Sequence, residues 1–388
     1  MKASVLFCLA GLVLSGCAST QSTATWPHSG DPLVDGKAAI EQGPKRDRVL
    51  WQYRTAATAM RRGQFELAKQ LLDDALLTLG GIYGADKDAK KARRYFSAEA
   101  KKTFIGEPYE RVMAYYYRGI LYWMDGEIDN ARACFRSGQF MDSDTEKKEY
   151  SSDYVLLDYL DGLATVKLGG DGSDALKRAQ ALAKASQPPD YDPKVNVLFF
   201  AEFGNGPIKY ATGEYHEQLR FRAGSSSVRS VRVTADTQVA RAEAYDDLTY
   251  QAATRGGRVM DHILANKAVF KSTTDTAGDV AIISGAILAG QQGRHSAADE
   301  VGVGLLAAGV LSKIFSAATT PAADTRSWDN LPQNLGLAAL VLAPGQHAVT
   351  VEYLDGAGHP ISSMTRTVTI EVLDPPRDTV IFVSDKNQ

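Results

Sequence analysis

The side chains that could carry catalysis are spread along this chain and form no known catalytic pattern. None of the six histidines stands at a spacing typical of metal ligands, and the chain has no H-E-x-x-H motif. The phosphate-cradling loop G-x-x-x-x-G-K-[ST] and the nucleophile turn G-x-S-x-G are also missing. Gly204 and Gly206 follow an apolar run as in a dinucleotide-binding loop, but Pro207 lacks a backbone donor and Lys209 stands at the third glycine position. We therefore predict no enzyme activity, no cofactor and no metal site.

Two groups of acidic residues could in principle act as general acid–base pairs. One is Asp246 with Asp247, and the other contains Asp153, Asp158 and Asp161. Asp158 and Asp161 are three residues apart, which places them side by side on one helical face. We interpret both groups as solvated acidic faces. A hydrolase acting on cell wall or glycan is the less favoured alternative.

Cys17 is the residue whose surroundings indicate a definite chemistry. A short cationic start, Met1-Lys2, precedes an apolar run of about ten residues at 5–14, which suits a secretory signal peptide and is too short to span a bilayer. The run ends in Leu14-Ser15-Gly16-Cys17, which resembles the lipobox of bacterial lipoproteins. The resemblance implies that residues 1–16 are removed and that Cys17 becomes an acylated N-terminus. The alternative is an ordinary signal peptide beside an incidental cysteine.

The lipobox resemblance also implies a location. Fatty-acyl chains on Cys17, palmitate among them, make a membrane the first predicted partner, because two or more chains give stable anchoring. Ala18 stands where inner-membrane lipoproteins of Gram-negative bacteria usually carry Asp, so the resemblance implies an outer-membrane anchor with the body facing the periplasm. Residues 17–45 are predicted to hold the lipidated cysteine and a flexible tether.

Residues 46–187 have the periodicity of helices. Two segments share one spacing of small and apolar residues, and a third fits with one residue inserted. The segments are Ala56, Ala59, Gly63, Phe65, Ala68, Leu72 and Ala75; Gly119, Tyr122, Gly126, Ile128, Ala131, Phe135 and Gly138; and Gly162, Gly169-Gly170, Ala175 and Ala179. This spacing resembles the tetratricopeptide helix-turn-helix. The 63-residue offset between the first two segments makes the array irregular, and a generic helical bundle is the alternative.

Tetratricopeptide-like arrays usually present a concave surface to a peptide or a partner protein. Aromatic residues are dense in this region of the chain, and four of them could line such a groove. The candidates for binding an unidentified envelope protein or peptide are Tyr115, Tyr116, Tyr117 and Trp123. The alternative is that these side chains belong to the core.

Residues 188–388 form the second predicted domain, which contains strands. Runs of alternating or buried apolar residues predict strands at 196–203, 230–235, 338–342, 348–354, 365–372 and 379–383, with a helix over 246–270. Together these strands predict a small antiparallel sheet or sandwich. Residues 323–332 combine a charged pair with Trp328 before Pro332, which indicates a structural clamp that holds a helical hairpin at 278–316 to the sheet, with a ligand site as the alternative.

A Gly/Ala-rich helical hairpin is predicted at 278–316, inside the β domain. Its two arms are apolar nearly all round, and their glycines would destabilise a solvent-facing helix. Close helix–helix contact would offset that cost, and the glycines predicted to mediate self-association are Gly285, Gly290, Gly302 and Gly309. Three interpretations stay open: a buried core element, a self-association surface in a homo-oligomer, or a segment that inserts into the outer membrane.

The composition is that of an ordinary folded protein. Of 388 residues, 44% are hydrophobic, and 43 Lys and Arg face 46 Asp and Glu, which gives a net charge of -3. Because no long basic run exists, nucleic acid is not an expected partner. The fold class predicted is α+β, with an N-terminal irregular tetratricopeptide-like array followed by a small antiparallel β domain with the inserted hairpin.

Taken whole, the chain resembles a family of bacterial lipoproteins with an N-terminal tetratricopeptide-like region, a Gly-rich middle and a C-terminal β region. The residues that carry the resemblance are the lipobox, the segment of Gly119 to Gly138, the turn Gly204-Asn205-Gly206-Pro207 and the residues around Trp328. The predicted function is a non-enzymatic protein-binding or assembly scaffold anchored in the outer membrane. The alternative is a component of an envelope export or pore-forming assembly whose 278–316 hairpin oligomerises or contacts lipid.

Overall fold

The computed structural model describes residues 28–84, 103–143, 150–212, 218–254, 269–270, 324–375 and 377–386. In these residues the protein is mixed α+β, with most helices N-terminal to the strands, as predicted. The helices are α1 (Pro32–Gln42), α2 (Arg48–Arg61), α3 (Phe65–Gly84), α4 (Pro108–Met124), α5 (Ile128–Asp142), α6 (Val155–Lys167), α7 (Ser173–Leu182) and α8 (Leu248–Thr254), with 3-10 turns at Lys45–Asp47 and Ser362–Met364.

The strands form three sheets. They are β1 (Val197–Asn205), β2 (Ile208–Thr212), β3 (Gln218–Arg222), β4 (Ser230–Ala235), β5 (Gln238–Glu243), β6 (Asp246–Asp247), β7 (Val269–Phe270), β8 (Pro332–Leu340), β9 (Gly345–Leu354), β10 (Arg366–Val372) and β11 (Thr379–Ser384). The first sheet has the order β11-β1-β8-β6, the second β10-β9-β4-β5 and the third β2-β3-β7.

Tight glycine turns join the helices in pairs. Gly63, Gly126 and Gly169 have φ of +67°, +82° and +80°, a left-handed conformation that glycine adopts without steric cost. They end α2, α4 and α6 and let the chain reverse into α3, α5 and α7. A Cβ on Gly119 of α4 would lie 2.5 Å from Cε1 of Phe135 on α5, so the small residue is what allows this close approach.

The first sheet is the middle layer of the described fold. Successive side chains of β1 point to opposite faces. Phe199 and Phe203 pack in a cluster with Val233 of β4 and Val351 of β9 in the second sheet. Leu198 and Phe200 belong instead to a cluster with the helices. The architecture is therefore a helical layer, a first sheet and a second sheet.

The strand pairing corrects the predicted antiparallel sheet. The second sheet is antiparallel throughout, but in the first sheet β1 pairs in parallel with β11, Val197 opposite Thr379, and antiparallel with β8. After β10 the chain leaves the second sheet and returns along the open edge of β1. In the described part of the helix predicted over 246–270, Asp246 and Asp247 pair with β8, Leu248–Thr254 forms α8 and Val269–Phe270 forms β7. Residues 255–268 lie outside the described residues.

The helices and strands share a core across the boundary predicted at 187/188. The last helix before β1 ends at Leu182 and β1 begins at Val197, so the boundary falls between the helical and the strand region. One continuous buried cluster nevertheless joins helical residues such as Tyr53 and Leu121 to Leu337 of β8. The helical half is thus covered by the sheet on its inner side.

Part of the segment 17–45, predicted as a tether, is folded, because α1 lies within it. Asp31 accepts hydrogen bonds from the N–H of Leu33 at 2.8 Å and of Val34 at 3.4 Å, which caps α1. Leu33 and Ala39 are buried against the body. Residues 1–27, with Cys17, and the hairpin at 278–316, with its four glycines, lie outside the described residues.

Candidate functional site

Residues 324–331, here called the strap, lie against α2 and α4 before β8 begins. The strap contains no helix or strand. Trp328 is only 1% exposed and stacks on Tyr53 of α2, with ring centroids 4.5 Å apart and planes 16° apart. Its ring also lies 5.8 Å from that of Tyr117 on α4. An aromatic ring held this way anchors a segment through its large apolar surface.

Charged side chains of the body bind the backbone of the strap. We call the surface that holds it the strap groove, formed by Tyr53, Arg54, Arg61, Glu110, Tyr117, Lys209 and Lys386. The donors to strap carbonyls are Arg54 to Ser327 at 2.8 Å, Arg61 to Asn330 at 2.7 Å, Lys386 to Leu331 at 3.0 Å and Lys209 to Arg326 at 3.3 Å. The N–H of Trp328 donates to Oε1 of Glu110. Such contacts hold a chain largely independently of its sequence, because they are made to its backbone.

Glu110 lies at the bottom of the strap groove beside a buried ion pair. Its Oε2 accepts from the N–H of Glu107 at 2.6 Å, and the two residues form the capping box that starts α4. Lys209 donates to Oε1 of Glu107 at 2.5 Å. Burial raises the pKa of Glu110 to about 7, with Lys209 opposing and Glu107 adding to the rise. Burial alone would lower the pKa of Lys209, but the charge of Glu107 raises it above its ordinary value.

Arg326 fixes the start of the strap. Its guanidinium donates to Asp47, before α2, at 2.5 Å and to Asp324 at 2.6 Å. A small cleft beside it is lined by residues 103–107, Lys209, Asp324 and Arg326. These contacts hold the segment between the helices and the sheet, whereas the hairpin that the predicted clamp would hold lies outside the described residues.

Glu202 of β1 forms a second buried polar network next to the strap groove. Its side chain is 1% exposed and accepts from Arg61 at 2.6 Å, from the hydroxyl of Tyr117 at 2.5 Å and from the hydroxyl of Ser384 at 2.7 Å. Burial favours the neutral acid, but the guanidinium of Arg61 outweighs it and lowers the pKa of Glu202. The carboxylate therefore stays ionised and ties α2 and α4 to the first sheet.

The structure corrects the prediction that the aromatic residues of α4 line an open groove. Tyr116, Tyr117 and Trp123 are at most 1% exposed. They are buried because the first sheet covers the inner face of the helices. The indole N–H of Trp123 donates to Asp378 at 3.0 Å, and Tyr117 contacts the strap. Tyr115 is half-buried, and partner binding there stays a prediction.

The predicted acidic faces are in part buried. Asp246 is 4% exposed, and its two oxygens accept from the N–H groups of Val155 and Leu156 at 2.9 Å each, so it caps α6 from β6. Burial raises its pKa to about 7. Asp158 is 7% exposed and bonds Arg178 at 3.2 Å. These carboxylates have structural partners, which a solvated face would not require.

Sequence reasoning missed Glu110, Glu202 and Lys209 as buried charges. A signal existed for the two glutamates. Glu107-Pro108-Tyr109-Glu110 has the spacing of a capping box, and Glu202 is the one charge inside the apolar run of β1. Lys209 had no comparable signal, since its partner Glu107 is 102 residues away.

Within the described residues, no group of three or more His, Cys, Asp or Glu is arranged to hold a metal ion. In that same part of the chain, no helix has both the length and the apolar character needed to cross a membrane.

Comparison with known proteins gives no match: no family model, no curated protein and no solved structure is similar to this chain.

Proposed function

We propose that this protein is an outer-membrane-anchored lipoprotein that acts as a non-enzymatic protein-binding or assembly scaffold in the cell envelope. The lipobox at Leu14-Ser15-Gly16-Cys17 supports the anchor. The folded body begins with α1 at Pro32. The residues between Cys17 and Pro32 can reach at most about 50 Å at roughly 3.6 Å per residue. The body would thus work close to the membrane surface and face the periplasm.

The observation that carries the binding function is the strap groove. It holds a segment without secondary structure through an aromatic anchor, Trp328, and through donors aimed at backbone carbonyls. Proteins that recognise peptides use these two kinds of contact, one for selectivity and one for affinity. The three glycine-turn helix pairs support an irregular tetratricopeptide-like array, whose usual role is to bind proteins.

The bonding of the buried carboxylates supports a non-enzymatic role. Glu110 accepts from two backbone N–H groups, Asp246 caps α6, and Glu202 is tied to Arg61, Tyr117 and Ser384. Each of these carboxylates holds one structural element of the fold against another. A general acid or base must instead reach a substrate proton.

The alternative is an export or pore-forming assembly built through the 278–316 hairpin. One observation favours it: the ends of the segment 271–323 reach the same sheet. Phe270 pairs with Leu219 of β3, while the carbonyl of Arg326 accepts from Lys209 of β2, the strand that pairs with β3. A hairpin that leaves and returns at one place could project from the body and meet a second copy or lipid.

Membrane fractionation with envelope crosslinking tests the proposed function. We expect the wild-type chain and a Cys134→Ser variant to stay in the outer-membrane fraction and to crosslink one set of envelope proteins. Cys17→Ser should leave that fraction and lose those partners, because it removes the cysteine that the lipobox resemblance identifies as the acylated residue. Identical fractionation of both variants would contradict the anchor. A chain that oligomerises only when 278–316 is present would favour the alternative.

A further inference from the structure

We propose that the strap is an exchangeable internal ligand: it fills the strap groove in the isolated chain, and a tryptophan-bearing segment of a partner protein, without helix or strand, takes its place. This inference rests on the proposed binding function and names the chemistry of the partner.

The bonding of the strap makes it separable from the fold. Its backbone bonds mostly to side chains such as Arg54 and Glu110, which can bond water when the strap leaves. The neighbouring strand β8 is instead paired with β1 from Pro332 to Leu340. Opening the strap breaks no helix and no sheet, whereas opening β8 would split the first sheet. Opening the strap therefore costs the burial of Trp328 and Leu331, which are each 1% exposed, and no hydrogen bond within a helix or a sheet.

The charges under the strap favour its opening. Glu110, Lys209 and Arg61 are buried beneath or beside it, and ions taken out of water carry a desolvation cost that an open groove would recover. The fit is also incomplete. Oε2 of Glu107, Nη1 of Arg61 and Nε1 of Trp328 are buried without a hydrogen-bond partner among the described residues. A partner segment with a donor for Glu107 or an acceptor for Arg61 would bind better than the strap does.

The contacts of the strap define what a replacement must offer. It must offer backbone carbonyls at the places of Arg326, Ser327, Asn330 and Leu331, because the donors of Lys209, Arg54, Arg61 and Lys386 reach these four groups. It must present an indole to the ring of Tyr53. An acidic residue directly after that indole matches Asp329, which accepts from Arg54 at 2.9 Å. The partner class is therefore an unfolded protein segment with a Trp-acid pair.

Peptide binding to the full chain, purified in detergent, tests this proposal. The probe is a fluorescein-labelled peptide with the sequence of residues 323–333, read by fluorescence anisotropy. Trp328→Ala removes the internal anchor, so we expect the peptide to bind this variant at least about tenfold more tightly than wild type, because a larger fraction of the grooves is open. A peptide with alanine in place of tryptophan should lose binding.

Trp123→Ala is the matched control, since Trp123 is equally buried but bonds Asp378 away from the strap. We expect it to bind the peptide no better than wild type does. Equal binding to the Trp123→Ala and Trp328→Ala variants would overturn the proposal, because it would show adhesion to a loosened core. Equal, weak binding to all three proteins would also overturn it.

Hydrogen exchange on the wild-type chain gives a second test that needs no variant. We expect the strap amides, including that of Trp328, to exchange at least about tenfold faster than those of β8 near Leu337. Exchange of the strap and β8 at one rate would show that the strap opens only with the whole fold and would overturn the proposal. If these tests fail while Cys17-dependent crosslinking holds, the scaffold stands and its partner binds elsewhere.

Discussion

Mild acid should stabilise this fold, and Glu110 is the main reason in the helical layer. Burial raises its pKa from 4.5 to about 7, so between those values the folded chain holds a proton that the unfolded chain has released. Unfolding then releases the proton, and the free energy of unfolding falls as the pH rises. From pH 5 to pH 7 the loss from Glu110 alone is about 2 kcal/mol, at ~1.4 kcal/mol per unit of pKa difference.

Other titratable groups change the free energy of unfolding in the same direction as Glu110, or only at lower pH. Asp246 has a pKa raised to about 7 by burial and adds to the effect. The pKa of exposed His347 is raised, chiefly by its bond to the carbonyl of Ala343, and its contribution is also lost as the pH rises. The pKa of Glu202 and of Asp324 is lowered, so their stabilisation is lost only in stronger acid, below about pH 4. We therefore expect a stability maximum near pH 5.

Urea unfolding at pH 5 and pH 7, followed by tryptophan fluorescence, measures the effect. Glu110→Gln cannot titrate, so its stability should change by about 2 kcal/mol less than that of wild type between the two values. Glu66→Gln is the matched control, because the side chain of Glu66 is 89% exposed, and it should behave like wild type. Equal pH dependence in wild type and Glu110→Gln, or stability that rises from pH 5 to pH 7, would refute the reasoning.

Three further predictions test the packing and the buried polar contacts. Arg61→Met leaves Glu202 buried without its cation and should lower the free energy of unfolding in urea by about 3–5 kcal/mol. The double variant Arg61→Met/Glu202→Gln should recover part of that loss. No recovery would contradict the ion pair. Gly119→Ala should destabilise the fold by about 1–3 kcal/mol, because the new Cβ meets Phe135. Gly80→Ala lies in open space on α3 and should stabilise the fold by up to about 1 kcal/mol. Thermal unfolding of the two variants distinguishes these effects. Asp246→Ala should lower the free energy of unfolding by about 1–2 kcal/mol, because α6 loses its cap. The amides of Val155 and Leu156 should then exchange faster with solvent. Unchanged exchange at these amides would contradict the cap.

Local sequence patterns predicted the elements well where a few neighbouring residues decide them. The strand predicted at 230–235 is β4 residue for residue, and the glycines at 63, 126 and 169 mark the observed turns. Both features depend on side-chain alternation or backbone freedom within a few residues. The whole of α1 was missed, because 17–45 was predicted as a tether, although Asp31-Pro32 is a start signal for a helix.

Long-range pairing could not be predicted from the same patterns. The parallel contact of β1 with β11 joins Val197 to Thr379, and nothing in either strand specifies that neighbour. The burial of Tyr116 and Tyr117 follows from a sheet that lies more than 80 residues further along the chain. A helix rich in aromatic residues is compatible with both a buried core and an open groove. In this protein the first sheet of the same chain covers that helix.

Mass spectrometry of the mature N-terminus is the most direct measurement of the lipid anchor on which the proposed function depends. We predict that the first residue is Cys17 and that it carries a diacylglycerol and an N-acyl chain, with residues 1–16 removed. An N-terminus at any other residue, or an unmodified thiol on Cys17, would contradict a membrane-anchored scaffold.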